Sequence, residues 1–99
     1  MGASLTTPDI QLSVGRSFAD IHEVESVYVV RGGDTLRVFT LVGDVNEDVY
    51  DRIYEHERSI IREFKGAHFD FNVICRRGRA AAEIVGSILP VWQRTESAT

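Results

Sequence analysis

The chain has 99 residues, 43% of them hydrophobic and 26% charged, which is the balance of one globular domain and excludes a multidomain enzyme or a disordered chain. Its 15 acidic and 11 basic residues leave a net charge of -4, so nucleic acid and anionic membrane are unlikely partners. A single cysteine excludes an internal disulfide framework.

Thr7-Pro8-Asp9 reads as a helix start. Thr7 suits the cap, and proline suits the first helical position, where its missing N–H costs nothing. Ile10, Val14, Phe18 and Ile21 follow at helical spacing. Gly15 inside this helix costs about 1 kcal/mol against alanine, so it marks either a close helix–sheet approach or a marginal helix.

Val24–Arg31 is rich in Val and reads as a strand, and Asp34–Val42 reads as a second. Gly32-Gly33 between them predicts a hairpin, because a type I′ turn needs positive φ at both central positions. Asp44 with Glu47 suits a capping box at the start of the next helix, or Asn46 caps it. Val49, Ile53, Ile60 and Phe64 form the apolar stripe of that long helix, widened by Tyr50, Tyr54 and Ile61. Gly66 suits its C-terminal end. The acids Asp44, Glu47, Asp48, Asp51 and Glu55 favour the helix N-terminal dipole, and Asp48 and Arg52 are spaced for an i,i+4 pair.

His68–Arg76 is the third predicted strand. Phe69, Phe71, Val73 and Cys75 share one face, assigned to the core; His68, Asp70, Asn72, Ile74 and Arg76 share the other. Arg77-Gly78-Arg79 reads as a turn, Ala80–Ser87 as a short helix, and Ile88–Trp92 as an apolar segment broken by Pro90.

The predicted fold is therefore α+β: a ferredoxin-like α-β-β-α-β sandwich, with a three-stranded sheet, two helices on one face and a C-terminal extension. It is a single domain, with a core over about 8–76, an extension over about 77–92 and short tails. The long helix makes the second and third strands parallel through a right-handed crossover, with room for the first strand between them. The face away from the helices carries apolar side chains whichever register holds, and a monomer rarely exposes so large a patch. Either Ile84, Val85, Ile88, Leu89, Val91 and Trp92 fold over it, or a second subunit covers it. Phe39, Leu41, Ile74, Ile88, Leu89 and Trp92 are the expected dimer or tail-packing residues. A homodimer is expected, and a different protein partner is the other option.

Little in the sequence carries chemistry. His68 and Asp70 point the same way along one strand, as a metal-binding or acid/base pair would, but no third ligand is evident. His68 and Cys75 are separated by an odd number of residues, so a regular strand puts them on opposite faces. His22, Glu23 and Glu25, or His56 and Glu57, supply metal-ligand types without a defined set. Arg76, Arg77 and Arg79 form the one basic cluster, fit for a phosphate or carboxylate, or for the acidic helix face of another chain. No GxSxG, P-loop, HExxH, EF-hand or GxGxxG pattern occurs, so no motif supports an enzyme, and one using His68 and Asp70 as acid and base is the remaining alternative; no cofactor is required, although a divalent metal would suit the same pair. No apolar run reaches the ~18 residues of a membrane span, and with the single thiol and no secretory signal this points to the cytoplasm.

The α-β-β-α-β order, with a Val-rich first strand, a glycine hairpin and a long amphipathic helix running to Gly66 before the third strand, resembles the cytoplasmic domain of cation diffusion facilitators over roughly Pro8 to Arg76. The resemblance is one of topology and pattern. It implies a ferredoxin-like dimer binding divalent metal through His and acidic residues, for which His22, His56, His68 and Asp70 are the available types. The run from Phe69-Asp70-Phe71 through Arg79, with a tryptophan near the C-terminus, equally resembles the signature of a small bacterial family.

Overall fold

The structure is a computed structural model; it describes residues 7–43, 46–77, 79, 83, 86 and 88–94, with the backbone alone for Thr7 and Pro8. Helix α1 spans Thr7–Ser17, strand β1 Val24–Gly32, strand β2 Thr35–Val42, helix α2 Glu47–Glu63, strand β3 His68–Cys75 and strand β4 Trp92–Gln93. The expected box between Asp44 and Glu47, the tails apart from Gln93 and Arg94, and most of the helix expected over Ala80–Ser87 lie outside the described residues.

The class is α+β, but the sheet has four strands rather than three, in the order β3-β2-β1-β4. β4 comes from the segment assigned to an extension. Pro90 breaks the apolar run, and only two residues beyond Val91 pair, too short a strand for periodicity to reveal. β2 and β3 are parallel, as the crossover requires, but they are direct neighbours. β1 lies on the other side of β2, because the hairpin and the crossover use opposite edges of that strand.

The hairpin loop is Gly33-Asp34, one residue later than expected, with Gly32 paired to Thr35. Gly33 has φ +64, while Asp34 is not in the positive region. A single positive φ at the first central position is the pattern of type II′ rather than I′. Helix α1 is shorter than its apolar spacing suggests. Phe18 and Ile21 lie in tight turns after it, where Phe18 N–H donates to the Gly15 carbonyl and Ile21 N–H to the Phe18 carbonyl. Asn46 caps α2, its side chain accepting from Val49 N–H at 3.0 Å.

Both helices pack on one side of the sheet. Val14 and Phe18 of α1 and its following turn, with Val49, Ile53 and Ile60 of α2, share one buried cluster with Val24, Val27 and Val29 of β1 and Leu36, Val38 and Val42 of β2. Thr40 stands among the β2 valines at 0% exposure, its hydroxyl without a partner among the described residues. Its branched shape fills a valine's place at a cost of about 1–3 kcal/mol for the unpaired group. On the same side of β3, Phe69, Phe71, Val73 and Cys75 are only partly buried. The core thins towards that edge.

Gly15 is the point of close approach. A Cβ there would stand 2.9 Å from both Trp92 Cβ and Val91 Cγ2. Its helix-propensity cost is therefore the condition for β4 to dock against α1. Gly15→Ala should lower the thermal midpoint, because the overpacking cost of about 1–3 kcal/mol exceeds the propensity gain of about 1 kcal/mol. A raised midpoint by calorimetry would contradict this contact.

Glu57 lies one helical turn from Ile53 and Ile60 on α2 and is half-buried. Desolvation raises its carboxyl pKa from 4.5 to about 7, with Arg58 opposing the shift. The folded chain then holds a proton that the unfolded chain releases. Stability from this group is greatest below pH 4.5, declines as pH rises to about 7, and is level above that. Glu57→Gln should raise the melting temperature at pH 8 while changing it little at pH 4. Melts of both chains across that range are the check.

Candidate functional site

The chain leading into β1 is the most connected part of the molecule. Glu25 sits at the register shift between Val24 and Ser26. A bulge re-aims side chains, and here Glu25 reaches the far edge of the sheet. Its two carboxylate oxygens accept from Arg76 Nε at 2.7 Å and a terminal guanidinium nitrogen at 3.1 Å. These hydrogen bonds, and then the Glu25 charge, raise the Arg76 pKa further above its ordinary value. The other terminal nitrogen of Arg76 donates to the Arg79 carbonyl at 2.8 Å. Glu23 pairs with Arg52 of α2 at 3.0 Å, and Arg52 also meets Asp48 at 3.5 Å, the expected i,i+4 pair. The Glu23 carboxyl is held below its usual range chiefly by its own backbone N–H; burial opposes this and the Arg52 charge adds to it.

Arg94, just past β4, does the same work with backbone groups. Its Nε donates to the Val24 carbonyl at 3.1 Å, and one terminal nitrogen donates to the carbonyls of Ala19 and Ile21, each at 3.0 Å. Its guanidinium carbon lies 4.9 Å from the Trp92 ring centroid. Two of the carbonyls belong to the tight turns after α1 and the third to the first residue of β1, so one side chain closes that loop and anchors β4. Sequence reasoning missed it, because an arginine in a polar tail carries no signal of the carbonyls it will meet.

Around these groups is a depression of about 620 Å³, floored by Tyr28 and Leu41 and rimmed by His22, Glu25, Arg76 and Gln93. Its charged rim is internally neutralised. Arg76 is taken up by Glu25 and a carbonyl, while Arg77 is exposed with a left-handed φ of 49° and Arg79 folds back on the Arg76 carbonyl. The three arginines of the expected anion cluster therefore do not converge. His68 and Asp70 are exposed on the second face of β3, and Asp70 lies 3.9 Å from Arg37. His56 is drawn into the fold, stacked on Phe18 with its Nδ1 donating to the Arg52 carbonyl at 2.8 Å. Among the described residues no group of three His, Cys, Asp or Glu side chains is placed to hold a metal ion, and no helix is long and apolar enough to cross a membrane.

The expected apolar face is also redistributed. Tyr28 and Leu41 on the second face are 4% and 1% exposed, so its centre is already buried within the chain. Phe39 and Ile74 are half-buried, and Ile88 and Leu89 are exposed. Trp92 is half-buried on the helix side, opposite Val27 and against Gly15, rather than on the second face. The sheet edges differ more sharply. Beyond β4, the Val29 carbonyl of β1 is taken by Gln11 of α1 at 3.1 Å. On the other side, the eight-residue strand β3 has no strand beside its outer edge among the described residues.

No family model matches this chain, and no curated protein or solved structure matches it either.

Arg94→Ala should cost about 2–3 kcal/mol, since it deletes charge-assisted bonds and leaves carbonyls unpaired. Arg94→Lys should recover little, because one ammonium cannot span three carbonyls with the geometry of a guanidinium fork. Chemical denaturation of both variants tests this; full recovery by lysine would refute the fork.

Proposed function

We propose that this chain is a small interaction module that works as a homodimer, a second copy completing its sheet along β3. The observation that supports this reading is the state of β3. Among the described residues it pairs with β2 alone, in unbroken register from Thr35↔His68 to Val42↔Cys75. Natural sheets guard long edges with bulges, prolines, lysines or a covering element. β3 contains neither proline nor lysine and has no bulge in its pairing. Its helix-side residues Phe69 and Phe71 are stacked with ring centroids 5.4 Å apart and only partly buried, whereas Leu36 and Val38 on the neighbouring strand are 7% and 0% exposed. Tyr54 and Ile61 of α2 are 44% and 51% exposed. Unpaired backbone and half-covered aromatics on one edge are what strand addition satisfies.

The ferredoxin-like reading, its kinship with the dimeric cytoplasmic domains of cation diffusion facilitators, and a cytoplasmic setting belong to the same proposal. They rest on the element order and on both helices lying on one side, with the difference that β2 and β3 are neighbours here. A second reading, a domain responsive to a small anion, draws on the depression beside Arg76. It requires the ligand to displace Glu25 from that guanidinium.

Light scattering with size exclusion should give about twice the 11.1 kDa chain mass at tens of micromolar. A single-chain mass throughout the micromolar range would sink the dimer reading. Phosphate or carboxylate raising the melting temperature would then favour the anion reading by mass action.

A further inference from the structure

Glu57 is a carboxyl set into an apolar part of α2. Its neighbours on the helix surface, three and four residues away, are Ile53, Tyr54, Ile60 and Ile61. It is half-buried and has no ion pair among the described residues. At about 100° per residue it stands about 60° round the helix from the line of Val49, Ile53 and Ile60. His56 and Arg52 stand on the opposite side of that line, where they meet Phe18 and Glu23. Phe64 stands on the Glu57 side, and its ring centroid lies 6.4 Å from that of Phe69. Glu57 therefore leans towards β3. α2 runs opposite to β3, since it crosses between parallel strands. From Phe64 back to Glu57 is about 10 Å of helix, or about three residues of strand. That sets Glu57 level with Phe71 and Val73, near the middle of β3.

Among the described residues no charge faces it from the strands. β3 turns Phe69, Phe71, Val73 and Cys75 to the helix side, and the Cys75 thiol donates to the Gly43 carbonyl at 3.5 Å. His68 and Asp70 lie on the other face of β3. The helix-side residues of β1 and β2 are apolar apart from Thr40. The turn after α1 meets the opposite flank of α2. On α2 itself, Tyr50 and Tyr54 stack on each other, and Arg58 is exposed and points further round towards solvent. Burial raises the Glu57 carboxyl to about 7, and Arg58 opposes this.

Antiparallel pairing of β3 with a second copy, about a two-fold axis normal to the sheet, keeps both helix layers on one face. Full overlap sets Phe71 opposite Asn72 of that copy, with the axis between them. Glu57 is level with this axis, so each carboxyl approaches its counterpart over a floor of phenylalanines. Two carboxylates there would repel and lose water; two neutral carboxyls do neither badly. We propose that self-association takes up protons at Glu57, so that the dimer forms on the acid side of neutrality and opens above it. This rests on the dimer reading above and names its regulation. Linkage fixes the sign: a group more protonated in the dimer than in the monomer makes affinity fall as pH rises.

The test is sedimentation velocity on the natural chain and on Glu57→Gln, at about pH 6 and about pH 8.5. The natural chain should dimerise at least about tenfold more weakly at the higher pH. Glu57→Gln should dimerise at both about as tightly as the natural chain does at the lower. A natural dimer of equal affinity at the two pH values would overturn the inference and leave the dimer reading intact. So would a Glu57→Gln dimer that keeps the full natural dependence, since a histidine would then carry it. A natural chain monomeric at both pH values removes both readings. Circular dichroism establishes folding; should Glu57→Gln not fold, Glu57→Met, uncharged and of similar length, takes its place with the same expected outcomes.

Discussion

The lead into β1 is held by charge and backbone bonds at once, and the rest of the molecule is organised around it. Glu23 ties it to α2 through Arg52, Glu25 ties it to the end of β3 through Arg76, and Arg94 ties it to β4 and to the turns after α1. Elements distant in sequence thus converge on a few residues that have little apolar surface to offer. In a domain of this size the core is small, and polar ties that specify geometry matter correspondingly more. The Glu25 bulge is central, since without it a regular strand would not aim this carboxylate at Arg76.

The sheet is asymmetric about that centre. On the β4 side it is closed by small devices: a two-residue strand, the Gln11 side chain on the Val29 carbonyl, and Gly15 letting Trp92 and Val91 come close to α1. On the β3 side the ladder runs its full length, with no further strand among the described residues. The helices cover β1 and β2 well, and β3 only in part. The β3 edge and the half-covered Phe69 and Phe71 are the observations on which the proposed pairing with a second copy rests.

The depression beside Arg76 has a different character. Its charged groups are engaged with one another or with backbone carbonyls, so it reads first as the structural junction that positions β1. The expected metal pair, His68 and Asp70, stands apart from it on an exposed strand face.

Periodicity alone determined most of the elements. The Val-rich alternation of β1 and β2, the apolar stripe of α2, the alternation of Phe69, Phe71, Val73 and Cys75, the Asn46 cap and the Asp48–Arg52 pair are all local, and local spacing is what a sequence displays. The parallel relation of β2 and β3 was also legible, since a helix-length connection allows little else. Tertiary structure alone decided that β3 lies beside β2 rather than beyond β1, because both choices bury the same side chains. It alone decided that Trp92 turns to the helix side, because a two-residue strand has no period and is defined only by its partner on β1. The roles of Arg94, Gly15 and Glu25 belong to the same class. Each depends on a carbonyl, side chain or guanidinium far away in the chain, and no spacing rule reaches across that separation.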